Sequence, residues 1–179
     1  MTLNVARSSE PVTSTNFDAV STDAASVRKA FGRFPSGLAA LCAEVDGEAT
    51  GIVASSFSVG VSFDPALVMF SVQNSSTTWP VLRLAPTVGV SILGEDHDGV
   101  AAQLASRSGH RFRDLETLRS ESGSLFIAGS SLMMNCTIVS ETPAGDHHII
   151  LLEVKSLLVG ESEPLIYHGS SFRKLHRTA

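Results

Sequence analysis

Lysine is missing from the whole stretch between Lys29 and Lys155. A phosphate bound there has to be held by backbone amides, hydroxyls or one of the arginines Arg83, Arg107, Arg111 and Arg113. The basic residues that do occur are scattered, and the formal net charge is −5. Polyanion binding needs clustered cations, so nucleic acid is not expected as a partner. Cysteine occurs only as Cys42 and Cys136, each in an apolar-rich segment and with no Cys-x-x-Cys pair; these read as buried thiols of a reducing compartment. No apolar run approaches the roughly 20 residues of a membrane-spanning helix. The first residues lack a basic start followed by an apolar core, so the expected location is cytoplasmic, away from membranes.

Several catalytic signatures are missing too. No Gly-x-Gly-x-x-Gly or Walker loop follows a strand, and no Gly-x-Ser-x-Gly elbow accompanies the many serines, which removes the sequence warrant for those nucleotide folds and for acyl transfer. His97 lies between Asp96 and Asp98 next to a predicted helix start, where carboxylates are favoured by the helix dipole, so a solvated cap is expected rather than a metal site. There is no internal repeat and no low-complexity linker.

What is present is one domain's worth of chain, 179 residues with 43% hydrophobic content, enough to bury a core without staples. Residues 1–20 are polar and aperiodic and read as a flexible arm, leaving 21–179 as the domain. From Thr22 the spacing of Val27, Ala30, Phe31 and Phe34 predicts a helix, stopped by Pro35 and Gly37. Asp46 and Gly47 predict a tight hairpin. The Val-rich segment Gly51 to Pro65, with serines at 55, 56, 58 and 62, reads as strand, as does Leu67 to Val72. The Ser and Thr residues before Trp79 and Pro80 predict a helix start, and such starts also suit phosphate. A strand is expected over Thr87 to Leu93, a helix over Asp98 to Arg107, and a strand over Ser131 to Glu141; residues 113–130 are turn-rich and ambiguous. Short strands without β-α-β alternation point to an antiparallel barrel.

At the Ser-rich segment the chain resembles the short-chain flavin reductases, which supply reduced flavin to two-component monooxygenases. Their pattern is a Gly before a Ser/Thr-rich strand and then Ser-x-Asp-Pro-Pro-Leu-Val. Here Gly51 precedes the strand, and Ser62, Phe63, Asp64, Pro65, Ala66, Leu67 and Val68 follow. Ala66 replaces the second proline and the spacing from Phe57 to Asp64 is one residue longer than commonest, so the loop at the flavin edge is expected to differ in shape. Gly145, Asp146 and His147 match the family's Gly-Asp-His turn, with Glu153 and Val154 in its continuation. The segment Pro164 to Phe172 resembles its closing strand and contains the chain's only tyrosine, Tyr167. In all, the likeness covers about residues 24–175.

The resemblance implies an FMN-binding split β-barrel, mainly β and antiparallel in Greek-key order with a few short flanking helices. It also implies a homodimer and a separate monooxygenase that receives the reduced flavin. The implied activity is reduction of free FMN or FAD by NADH or NADPH. Hydride transfer between two cofactors needs positioning groups rather than a nucleophile. His147 is thereby implied to face the nicotinamide, with His148 turned away by the strand's two-residue period. The implied flavin contacts are Gly51, Ala54, Ser55, Ser56, Phe57, Ser62, Gln73, Ser75, Ser76, Thr77, Trp79, Arg111 and Tyr167, and no metal is expected. A non-enzymatic flavin- or haem-binding barrel is the alternative, because a fold does not fix function. Pyridoxamine phosphate oxidation on a related barrel lacks the expected Arg and Lys cluster.

Overall fold

The computed structural model describes residues 16–106 and 110–176, and the chain divides into units at 1–31 and 32–179. In the first, helix α1 (Ala24–Phe31) is capped by Asp23, whose carboxylate accepts from the Ala25 and Ser26 amides and from the Ser26 hydroxyl. These bonds hold the Asp23 pKa below its ordinary value. No residue of α1 is buried. Of the expected arm, residues 1–15 lie outside the described residues.

In the second unit, strand β1 (Ser36–Gly37) leads into β2 (Ala39–Val45) and β3 (Glu48–Ala54). Asp46 and Gly47, at φ 52° and 82°, form the hairpin between β2 and β3, whose left-handed turn residues match the strands' twist. Strand β4 (Ser58–Phe63) and β5 (Ala66–Gln73) follow, then the single-turn helix α2 (Trp79–Leu82), β6 (Val88–Ile92) and helix α3 (Asp98–Ala105). A short hairpin, β7 (Thr117–Arg119) and β8 (Leu125–Ile127), precedes the long pair β9 (Leu132–Ala144) and β10 (His147–Val159). Of the small strands β11 (Ile166–His168) and β12 (Ser171–Arg173), β11 pairs with β1 and β12 pairs with β11, making a three-stranded sheet.

The main sheet has seven strands in the order β3-β2-β6-β9-β10-β5-β4, with each pairing antiparallel. Its two edge strands, β3 and β4, are consecutive in the chain and separated only by residues 55–57, a reach of about 10 Å. The sheet must therefore curl until its edges meet, yet no ladder joins them. It is a barrel left open along one seam.

Two differences from the sequence expectation follow from that seam. The segment from Gly51 to Pro65 is not one strand: β3 stops at Ala54 and the chain leaves the ladder at Ser55 to Phe57. On β4, Ser58 pairs with Met69 and Ser62 with Leu67, so the extra length is taken up as a bulge containing Gly60 at φ 74°. The turn-rich residues 113–130 hold the β7–β8 hairpin, fastened to β2 by the Glu44 amide on the Gly123 carbonyl.

Strand β2 is buried on both faces. Ala39, Leu41 and Ala43 point into the barrel with Phe70, Trp79, Val88 and Ile150; Ala40 and Cys42, with Leu38 just before the strand, face outward under Leu93, Leu104, Leu125 and Leu165. The two-residue period of one strand thus serves two cores. Near the outer core, His97 Nδ1 accepts the Gly94 amide at 3.1 Å, and the ring also hydrogen-bonds the Ala128 backbone.

Burial holds the His97 pKa below its ordinary 6.5, against the opposing pull of Asp96. The unfolded chain then binds more protons than the folded one. The resulting stability is complete above the ordinary value and is lost as pH falls through the folded one. Between about pH 7.5 and about pH 5.5 the urea midpoint should fall further for wild type than for His97→Asn, whose amide oxygen accepts without titrating. Equal falls in the two proteins would place the acid sensitivity elsewhere.

Candidate functional site

A cavity of about 730 Å³ occupies the open seam, within the usual range for small-molecule sites. One wall is the end of β3 and the turn after it, residues 52–56; the facing wall is the end of β5, Ser71 to Gln73, with Ser75 to Thr78 beyond. Leu104 and Ala105 from α3, with Arg111 and His147, complete the lining.

Ser56 sets the width of the seam. Its hydroxyl donates to the Ser71 carbonyl at 3.0 Å and accepts the Ser71 amide at 3.1 Å. One side chain thus stands where a neighbouring strand's backbone would be, and it holds the chain at arm's length from β5.

His147 begins β10, opposite Gln73 on β5 and Ala144 on β9. The turn before it contains Gly145 at φ 64°, a conformation glycine takes without strain. That turn is tied to β5's end: the Asn74 amide donates to the Asp146 carbonyl at 3.0 Å, and Asn74 Nδ2 to the Gly145 carbonyl at 3.3 Å. His147 Nδ1 lies 2.6 Å from Asp146 Oδ1, which orients the ring. His148, one step along, turns to Asn74 Oδ1 at 2.7 Å and is not part of the lining.

Arg111 Nη1 donates to the Gly51 carbonyl at 3.2 Å and to Thr78 Oγ1 at 2.8 Å. Among the described lining residues it is the one permanent cation, and none is a carboxylate. No lining serine hydrogen-bonds His147 among the described residues, so the Asp146–His147 pair does not extend into a nucleophilic triad. The surface suits a polar or anionic ligand that brings its own reactive atoms.

The structure brings together Ala54, Ser55, Ser56, Gln73, Ser75, Ser76, Thr77, Arg111 and His147 of the sequence-derived set. Ser76 Oγ also accepts the Trp79 amide, so part of its bonding goes to the α2 turn. Gly51 lies just outside, where a Cβ would stand 2.6 Å from Cys42 Sγ and 2.9 Å from Phe112. Phe57 packs on the inner core. Ser62 sits on β4 opposite Leu67. Trp79 is buried edge-on to Phe70, with ring centroids 5.3 Å apart, and its indole N–H reaches Glu141. Tyr167 pairs with Ser36 and Phe172 in the small sheet and packs on the outer core. These four, like Gly51, do not line the cavity. Arg107, weighed as a phosphate ligand, lies outside the described residues. Ser71, unremarked in the sequence, and Thr78, read there only as part of the helix-start run, do line it. The only signal for Ser71 is that it is the one hydroxyl in the apolar run before Gln73.

Comparison with known proteins gives a consistent picture. The family model of the flavin reductase like domain matches residues 31–176. A flavin reductase of Pseudomonas putida is 36% identical over 146 residues, 79% of this chain and 85% of that one. A Streptomyces coelicolor protein named actinorhodin polyketide dimerase is 34% identical over 155 residues, 86% of this chain and 87% of its own. Among solved structures, the NADH:FAD oxidoreductase of Streptomyces globisporus C-1027, in complex with NAD and FAD fragments, superposes with a TM-score of 0.84 at 30% identity, covering 91% of this chain and 99% of that one.

Replacing Ser56 by Ala removes both bonds to Ser71. Because Ser56 is exposed, water can satisfy Ser71, and the expected cost in urea unfolding is only about 1 kcal/mol. Ligand affinity should fall by more, about tenfold, because the wall loses its position. Unchanged affinity for flavin would show that the bridge does not shape the cavity.

Proposed function

The chain belongs to the flavin reductase like family, and from that membership we propose that its seam cavity holds flavin beside a nicotinamide nucleotide. The activity is NAD(P)H:flavin oxidoreduction. Bound flavin supplies the hydride acceptor and the nicotinamide the donor, so each bond that changes belongs to one of them. The observation that carries the assignment is the cavity itself: hydroxyls, strand-edge amides, one arginine and one oriented histidine, without a carboxylate or a nucleophile–base pair. The relatives' names, a flavin reductase and an NADH:FAD oxidoreductase, favour this over a barrel that only binds flavin or haem.

Within that assignment the chain's residues bind and orient. Backbone amides at Ala54 to Ser56, at the end of an edge strand, and the Ser55 hydroxyl face the flavin's polar edge, where reduction places negative charge. Arg111 with Thr77 and the Ser75–Ser76 hydroxyls meets the phosphate. His147, held by Asp146 and facing Gln73, positions the nicotinamide. Phe57 and Trp79 support the walls from the core, and Ser62 and Tyr167 have no direct contact in this scheme. NADH is the proposed donor, as in the Rhodococcus relative named an NADH-dependent flavin reductase.

Reduced flavin then passes to a separate monooxygenase, as the name of another Rhodococcus relative, the reductase subunit of a flavin-dependent monooxygenase, suggests. No helix among the described residues is long and apolar enough to cross a membrane. The cytoplasm, where nicotinamide nucleotides are available as hydride donors, is the proposed location. A homodimer is also proposed. It is supported by exposed apolar residues on β4 (Val59, Val61, Phe63) and by Leu157, Leu158 and Val159, which extend β10 beyond its last pairing with β5 at Glu153.

Loss of NADH absorbance should require added flavin, and His147→Ala should lower kcat about tenfold while leaving flavin affinity within about twofold. Turnover unchanged in the variant would remove His147 from the site, and no oxidation with any flavin would reject the activity. In sedimentation the wild type should run as a dimer and Leu158→Asp as a monomer, since a buried charge opposes association; a monomeric wild type would reject the dimer.

A further inference from the structure

The ladder between β5 and β10 ends at the rung of Gln73 and His147. Past it, one residue reaches three. The Asn74 amide and Nδ2 donate to the carbonyls of Asp146 and Gly145, and Asn74 Oδ1 lies 2.7 Å from His148 Nδ1. Residues 145, 146 and 148 bracket His147 on both sides, while neither Asn74 nor His148 lines the seam cavity.

Packing gives this turn little help. Residues 143–146 are exposed, and a Cβ added at Gly145 would meet nothing within 4 Å among the described residues. The turn's place relative to β5 therefore rests on directional bonds. Asp146 rides on the turn and orients the His147 ring at 2.6 Å, so any shift of the turn passes straight to the imidazole.

The two ends of the Asn74 side chain are not equivalent. Nδ2 is a donor and faces the Gly145 carbonyl; Oδ1 is an acceptor and needs a donor opposite it. His148 meets that need with a proton on Nδ1, which the imidazolium and one neutral tautomer both carry. With that donor in place the amide cannot turn over without losing both bonds. Resting on the flavin reductase reading, we propose that His148 is a positioning residue for hydride transfer. Through Asn74 it fixes the turn that carries His147, and with it the angle at which that ring meets the nicotinamide.

His148→Phe keeps a flat ring and removes the donor, whereas His148→Asn puts an amide donor where Nδ1 stood. In steady-state oxidation of NADH with flavin, His148→Phe should lower kcat about fivefold with flavin affinity within about twofold, and His148→Asn should restore about half the wild-type kcat or more. Asn74→Asp, which keeps the acceptor for His148 and loses the donor to Gly145, should fall as His148→Phe does. In a His147→Ala background His148→Phe should cost nothing further, because its effect runs through that ring. A second readout needs no turnover: in the NMR spectrum of the ligand-free protein, the His147 ring Cε1–H resonance should move in His148→Phe and return in His148→Asn. Unchanged kcat in His148→Phe, or the same loss persisting without His147, would overturn the inference. Failure of the reductase reading would look different, as a His147 resonance that responds in this way while the wild type oxidises no NADH with any flavin.

Discussion

The Ser56 hydroxyl, shared between the amide and carbonyl of Ser71, is the contact on which the architecture turns. A sheet whose two edge strands are three residues apart in the chain has two simple outcomes, full closure or separation. Closure would fill the seam with ladder bonds and leave no room for a ligand. Separation would expose two strand edges to other chains. A side-chain oxygen in place of a backbone group gives a third state, in which β5 stays satisfied while the chain stands off by the length of one serine. The cavity is the space so created.

Beyond the Ser56–Ser71 and Arg111–Thr78 bonds within the lining, the polar groups of that cavity are held from outside it. Gln103 fixes the arginine segment, Asn74 ties the turn that carries His147, and Asp146 orients the ring. Trp79, edge-on to Phe70 and bonded to Glu141, stiffens the turn that presents Thr77 and Thr78. Such a division suits a reaction whose chemistry resides in two cofactors. The protein's contribution is geometry, and geometry is set by the packing behind the walls.

Local signals were read correctly where a few neighbouring residues determine the backbone. The Asp46–Gly47 hairpin follows from two residues able to take left-handed φ, while the Gly145–His147 turn, with Gly145 alone at positive φ, came from the family motif. The break at Ser55 to Phe57 was not legible, since a period-two pattern cannot show that a hydroxyl has taken over a strand's bonds. The β7–β8 hairpin was missed because its order comes from docking on β2 through Glu44 and Gly123, a tertiary effect. Trp79 and Phe57 entered the site set through the family resemblance, and their packing on the inner core is a matter of burial that the sequence does not display. Ser71 went unremarked, and Thr78 was read only within the helix-start run, because each gains its place from a partner on another element, Ser56 and Arg111.

Cys42 offers a different use of the same packing. Its thiol lies in β2, fully buried, with its pKa pushed up to about 12 by desolvation, and the absence of a side chain at Gly51 is what gives the sulfur its room. A thiol reagent reaches it only after β3 or the outer-core layer has lifted from β2. Its alkylation rate is therefore a clock for opening of the most protected strand. Read with and without flavin in the seam, that clock would register how far a ligand at one edge of the sheet slows the breathing of its centre.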